Sequence, residues 1–121
     1  MTEPLRFFLR KADRILKRPE FKAFSETGRR LSTQFFIVLV APAKSGRSRI
    51  GITVSRKVGG AVERNRIKRL AREAFRLHRH LLDRPLDIIL IARRAVAEQP
   101  NRVIAGALKE LYDNLPRKLE N

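Results

Sequence analysis

Ile50-Gly51-Ile52-Thr53-Val54-Ser55, then Arg56-Lys57-Val58-Gly59-Gly60-Ala61-Val62-Glu63, then Arg64-Asn65-Arg66, open the stretch 50–82 whose reading decides the fold. The order is strand, glycine turn, basic helix. At about 100° per residue, Ile67, Leu70, Ala71, Ala74, Phe75, Leu77 and Leu81 gather on one side of the helix. Asn65, Lys68, Arg69, Arg72, Arg76 and Arg79 gather on the other. One side is suited to a core. The other is a row of cations that a polyanion would satisfy.

Composition sets the bounds. The chain has 121 residues, 43% of them hydrophobic, and a formal net charge of +16. That length predicts a single domain, residues 1–121, with enough apolar content for a modest core. Self-repulsion at such a charge disfavours the compact state unless an anionic partner relieves it. Nucleic acid is the first candidate and an anionic membrane surface the second. There is no cysteine, which excludes disulfides and the usual cysteine zinc sites. No run approaches the ~18 apolar residues of a membrane span. The apolar run at Phe7-Phe8-Leu9 is too short for a signal peptide. A cytoplasmic location is the expectation.

Outward from the basic helix, residues 1–17 read as a basic arm that orders on a partner. A short helix is expected from Pro19, with Glu20 at its positive end, Phe21 and Phe24 on one face and Gly28 as its stop. Residues 30–33 read as a weak edge strand. Residues 34–41, with Phe35-Phe36-Ile37-Val38-Leu39-Val40, read as a strand apolar on both faces. The turn 42–48 leads to the strand 49–55, expected to run antiparallel beside its predecessor because the connection is short. The basic helix spans 61–82. Residues 86–92 form a near-continuous apolar run, as in a buried strand. After a loop at 95–99, a helix starts near Pro100 or Asn101 and ends at Pro116. Val103, Ile104, Ala107, Leu108, Leu111, Tyr112 and Leu115 form its apolar stripe. The fold class is α+β, a two-layer sandwich in the order α-β-β-β-α-β-α with a small mixed sheet.

The chain carries little chemistry of its own. His78 falls on the apolar side of the basic helix and reads as structural, and His80 as solvated. Asp83 and Asp87 flank Pro85 and read as turn residues. Glu63 and Glu73 are too far apart to pair. No catalytic residue and no metal site is expected. The cations Arg64, Arg66, Lys68, Arg69 and Arg72, with Asn65, carry the signal. Arginine forks match phosphate, and asparagine can read a sugar or base edge. Glu73 is the one acid between Arg64 and Arg79, so i,i+4 pairing does not account for the row. The row is therefore expected to be free, and truncating Arg66 or Arg69 to weaken nucleic-acid binding with the fold intact. The aromatics Phe21, Phe24, Phe35 and Phe36 read as core packing first and base-stacking rings second.

The block Ser55-Arg56-Lys57-Val58-Gly59-Gly60-Ala61-Val62-Glu63-Arg64-Asn65-Arg66-Ile67-Lys68-Arg69-Leu70 resembles the protein subunit family of bacterial ribonuclease P. The likeness extends through Ala74-Phe75 and more loosely to Ile89-Leu90-Ile91-Ala92-Arg93. It implies a holoenzyme in which a large RNA cleaves precursor tRNA to free the mature 5′ end, with Mg2+ held at the RNA and none bound by the protein alone. It implies two RNA surfaces. Arg64, Asn65, Arg66, Lys68, Arg69 and Arg72 would dock the catalytic RNA, and Phe21, Lys57 and Arg94 match residues at a groove for the 5′ leader. The partners implied are that RNA and precursor tRNA, with no membrane and no protein partner required. Ser25 stands where many members have a second aromatic, and Val38 where an aromatic is frequent. The resemblance also implies a left-handed β-α-β crossover, as in a ribosomal protein domain, against the right-handed rule for roughly 98% of parallel crossovers.

Two other functions compete. A structural RNA-binding protein of ribosomal type, with no role in cleavage, is compatible with the charge and fold. A general DNA-binding role is disfavoured, because the sequence shows no helix-turn-helix or zinc pattern.

Overall fold

The computed structural model describes residues 28–43 and 46–119. Four strands and two long helices make up that region. The strands are β1 (Arg29–Ser32), β2 (Phe36–Pro42), β3 (Arg49–Thr53) and β4 (Leu86–Ala92). The helices are α1 (Ala61–His78) and α2 (Asn101–Leu119). The expected arm at 1–17 and the helix from Pro19, with Phe21 and Phe24, lie outside the described residues.

The sheet order is β1-β2-β4-β3. β4 pairs antiparallel with β2, from Phe36 against Ala92 to Pro42 against Leu86, and parallel with β3, from Arg49 against Asp87 to Thr53 against Ile91. The sheet is therefore mixed, and β3-α1-β4 is a crossover between neighbouring parallel strands. The expectation that β3 lies beside β2 fails. A short link makes a hairpin only when nothing better competes for the strand edge, and β4 is the better competitor. Apart from Asp87 it is apolar on both faces and, apart from the half-buried Ile91, buried throughout, so it gains most from neighbours on both edges. The chain leaving β2 instead passes over the end of β4. Ala43 N–H donates to the Pro85 carbonyl at 3.1 Å, and Ser48 Oγ accepts from Leu86 N–H at 3.0 Å.

Several boundaries also move. β2 starts at Phe36 because Thr33 Oγ1 accepts from Phe36 N–H at 3.0 Å, folding residues 33–36 into the β1–β2 turn. α1 ends at His78 and tightens into a 3₁₀ turn, Arg79–Leu81, where Leu82 N–H donates to the Arg79 carbonyl. The expected loop at 95–99 overlaps a second 3₁₀ turn, Arg94–Val96. Pro116 does not stop α2, which runs through it to Leu119. In the last turn the missing N–H forfeits one backbone bond.

One face of the sheet builds the core. Phe36, Val38, Val40, Ile50, Ile88 and Leu90 meet Ile67, Ala71, Ala74 and Phe75 of α1 and Ile104, Leu108, Tyr112 and Leu115 of α2. The two helices pack on each other, with the Phe75 and Tyr112 rings 6.3 Å apart and tilted by 60°. Ile89, Leu39, Ala41 and Ile91 form a smaller apolar cluster on the opposite face. Phe35 and Phe36, which had two readings, are both core residues.

Candidate nucleic-acid interface

The interface begins at the turn into α1. Gly60 caps the helix in an extended conformation with no side-chain cap, and its carbonyl accepts from Arg64 N–H at 2.9 Å. A Cβ at Gly59 would come within 3.0 Å of the Glu63 Cβ, so a glycine there lets the chain pass close to the first turn. Glu63 is favourably placed at the positive end of the helix.

Glu63 also orients Arg66. Arg66 Nε donates to Glu63 Oε1 at 2.6 Å. Its Nη1 donates to Asn101 Oδ1 at 2.6 Å and to the Gln99 carbonyl at 3.2 Å. Its Nη2 donates to the Ala97 carbonyl at 3.1 Å. The expectation of a free row fails at this residue. It fails again at Arg76, which pairs with Glu73. Both pairs are spaced i,i+3, a geometry as available on a helix as i,i+4. Farther along, the Arg79 guanidinium carbon lies 5.7 Å from the centre of the Phe75 ring.

The rest of the row looks outward. Asn65 and Arg69 are exposed, and Arg64, Lys68 and Arg72 are partly exposed. Among the described residues, Lys68, Arg69 and Arg72 have no hydrogen bond or ion pair. Arg64 has its Nε out of solvent and, among the described residues, without an acceptor. The same helix buries Ile67, Ala71, Ala74 and Phe75, so the flank is held rigidly from behind.

Lys57 and Arg94 are both exposed. Lys57 lies in the turn after β3, and Arg94 opens the 3₁₀ turn after β4. β3 and β4 are parallel neighbours, so the two cations stand beyond the same end of the sheet. The neighbouring Arg93 is anchored there by its Nη1, which donates to the Thr33 carbonyl at 3.0 Å. Phe21, the third residue matched to the leader groove, lies outside the described residues.

One ionic feature escaped the sequence reading, while His78 is structural as expected. Asp87 is not a turn residue; it sits in β4, 6% exposed. Arg49 grips it with both arms, Nε to Oδ1 at 3.0 Å and Nη2 to Oδ2 at 2.9 Å. An acid inside an apolar run was the available signal. Near Tyr112, His78 is partly buried and its ring lies 6.3 Å from the tyrosine ring. Burial, reinforced by Lys109, pulls its pKa below the usual histidine value.

A mixed four-stranded sheet backed by two helices, one with a flank of cations unpartnered among the described residues, defines a class: small basic α+β domains. The ribonuclease P family model matches residues 9–116, and the chain belongs to that family. The ribonuclease P protein component of Desulfatibacillum aliphaticivorans is 45% identical over 109 residues, covering 90% of this chain and 92% of that protein. That of Desulfovibrio desulfuricans is 50% identical over 95 residues, covering 77% and 73%. The RNase P protein of Staphylococcus aureus superposes with a TM-score of 0.77 at 36% identity, covering 83% of this chain and 92% of that one. The protein from Thermotoga maritima gives 0.75 at 30% identity, covering 84% and 96%.

Proposed function

We propose that this chain, as the protein subunit of ribonuclease P in tRNA 5′ processing, docks a catalytic RNA through one flank of α1 and steadies the 5′ leader of precursor tRNA at the end of the sheet. The docking residues are Arg64, Asn65, Lys68, Arg69 and Arg72. The observation that carries the reading is that Lys68, Arg69 and Arg72 point off a helix whose other side is buried, without an acceptor among the described residues. The helix backbone is ordered before binding, so only the side chains themselves remain to be ordered when phosphates arrive.

Lys57 and Arg94 are assigned to the leader, with Phe21 completing the set. A flexible single strand crossing the end of β3 and β4 would meet both cations. Cleavage is assigned to the RNA. Among the described residues no group of three or more His, Cys, Asp or Glu could hold a metal. Glu63, Glu73 and Asp87 are each already paired with an arginine. These acids do not fit a magnesium site, and in this proposal Mg2+ stays with the RNA.

Reconstitution tests the reading. The chain is added to the catalytic RNA at low magnesium, and cleavage of precursor tRNA is measured against RNA alone. The expected result is a clear gain in rate. If about six phosphates are neutralised, log K for the RNA should fall against log salt with a slope of about −4 to −5. No gain together with a flat salt dependence would end the proposal.

A further inference from the structure

We infer that Arg66 is a positioning residue that ties the RNA-docking helix to the loop carrying Arg94, and that it does not itself hold phosphate. The inference rests on the docking reading above and deepens it.

A guanidinium has five N–H donors. Arg66 has four of them engaged inside the chain: Nε on Glu63, Nη1 on Gln99 and Asn101, Nη2 on Ala97. One N–H remains, which is too few for the two-pronged grip that makes arginine a good phosphate ligand. Its side chain is 20% exposed. Arg69, one turn along, is exposed and has no hydrogen bond or ion pair among the described residues. Two arginines of one basic helix therefore do different work.

The acceptors identify that work. Ala97, Gln99 and Asn101 span the junction between β4 and α2, at sequence separations of 31, 33 and 35 from Arg66. Two of the acceptors are backbone carbonyls, so the tie fixes the path of the loop rather than one side chain. The Ala97 N–H in turn donates to the Arg94 carbonyl at 3.1 Å, and Val96 N–H to the Arg93 carbonyl at 3.0 Å. A continuous run of hydrogen bonds thus leads from the first turn of α1 to the turn that presents Arg93 and Arg94. Through it, the docking flank and the leader cations keep one relative position. Glu63 holds Nε and sets the plane of the fork.

The test uses the full chain assembled with catalytic RNA, and reads affinity against salt, melting temperature, and the ratio of affinities for precursor and mature tRNA. Arg69→Ala addresses the docking reading: its log–log salt slope should be shallower by about one. An unchanged slope there rejects docking by this flank and leaves the Arg66 question to the other variants. Arg66→Ala should lower the melting temperature and the precursor-to-mature ratio while keeping the parental slope. A slope shallower by about one at the parental melting temperature would overturn the inference, because it would show a phosphate contact. Arg66→Lys keeps the charge but not the planar fork, so it should behave as Arg66→Ala does. Full recovery with lysine would count equally against the idea.

Asn101→Ala guards against a variant that does not fold. It leaves Arg66 charged and removes one acceptor, so the precursor-to-mature ratio should fall about three-fold, as for one lost hydrogen bond. The slope should not move. A ratio equal to that of the parent would show that the tie does not position the leader cations.

Discussion

Arg66 and Arg69 sit three residues apart on α1 and meet opposite surroundings. Arg66 leans toward the 97–101 loop and finds three acceptors there besides Glu63. Arg69 leans away from every described acceptor and stays exposed. Arg49 repeats the inward case within the sheet, closing both arms on Asp87. In a chain this basic, positive charge alone does not mark an RNA contact. What decides is whether another element brings an acceptor within reach. Where it does, the arginine braces the fold. Where it does not, the arginine is available to a ligand.

The comparison breaks most visibly at the inward sites. Asp87→Ala removes the acid and leaves Arg49 inside the β3–β4 pair with its main acceptor gone. Breaking a buried pair from one side costs about 3–5 kcal/mol. Arg49 is 22% exposed at its side chain, so water recovers part of this. The expected loss is about 3 kcal/mol, read as a fall of more than ~8 °C in melting temperature. A change under about 1 kcal/mol would mean that the pair is a surface ornament and that inward arginines are not braces.

The outward sites sharpen it from the other side. Arg69→Ala combined with Arg72→Ala should leave the melting temperature within the ~0.5 kcal/mol typical of surface changes. The salt slope for the catalytic RNA should become shallower by about two, one for each lost phosphate contact. Circular dichroism and a binding titration on the same preparation separate the two effects. A large drop in helix content would assign these residues to the fold and erase the contrast with Arg66.

What the sequence made legible follows from the same distinction. α1 was readable because its period sorts Ile67, Ala71, Ala74 and Phe75 from Lys68, Arg69 and Arg72 without reference to anything else. β4 was readable because Leu86 to Ala92, apart from Asp87, is apolar on both faces. Its central position was not, since loop length favoured β2 beside β3 and edge competition decided otherwise. Arg66 was misread for a similar reason. Helical angle states which way a side chain leaves the axis, not what crosses its path, and the 97–101 loop is more than thirty residues away in sequence. The Glu63–Arg66 spacing of three was in plain view and indicated part of the tie. Asp87 likewise announced a partner by standing between Leu86 and Ile88. Naming Arg49 required the parallel register that sets those two residues side by side.

Tyr112 supplies the limiting case, a buried polar group without an acceptor among the described residues. Its ring is fully buried against Phe75 and His78, and its hydroxyl has no hydrogen-bond partner among the described residues. An unpaired buried hydroxyl forfeits its hydration for nothing, at a cost of about 1–3 kcal/mol, while the ring contributes the packing. Tyr112→Phe keeps the ring and removes the penalty. It should raise stability by about 1 kcal/mol, a gain of a few degrees in melting temperature. The sign of its pH dependence follows from the same burial, which pushes the hydroxyl's pKa above the usual value of 10.0. The unfolded chain ionises at that value while the folded chain holds its proton. The contribution is therefore complete below pH 10 and is lost as the pH climbs toward the folded pKa. Phenylalanine has no proton to lose, so the advantage of the variant should widen between pH 9 and 11 (about one unit either side of the unfolded value). Parallel melts of the two proteins at pH 8 and 10.5 measure the difference. A variant less stable than the parent at pH 8 would mean that the hydroxyl does have an acceptor, and Tyr112 would join Arg66 and Arg49 among the side chains that brace the fold.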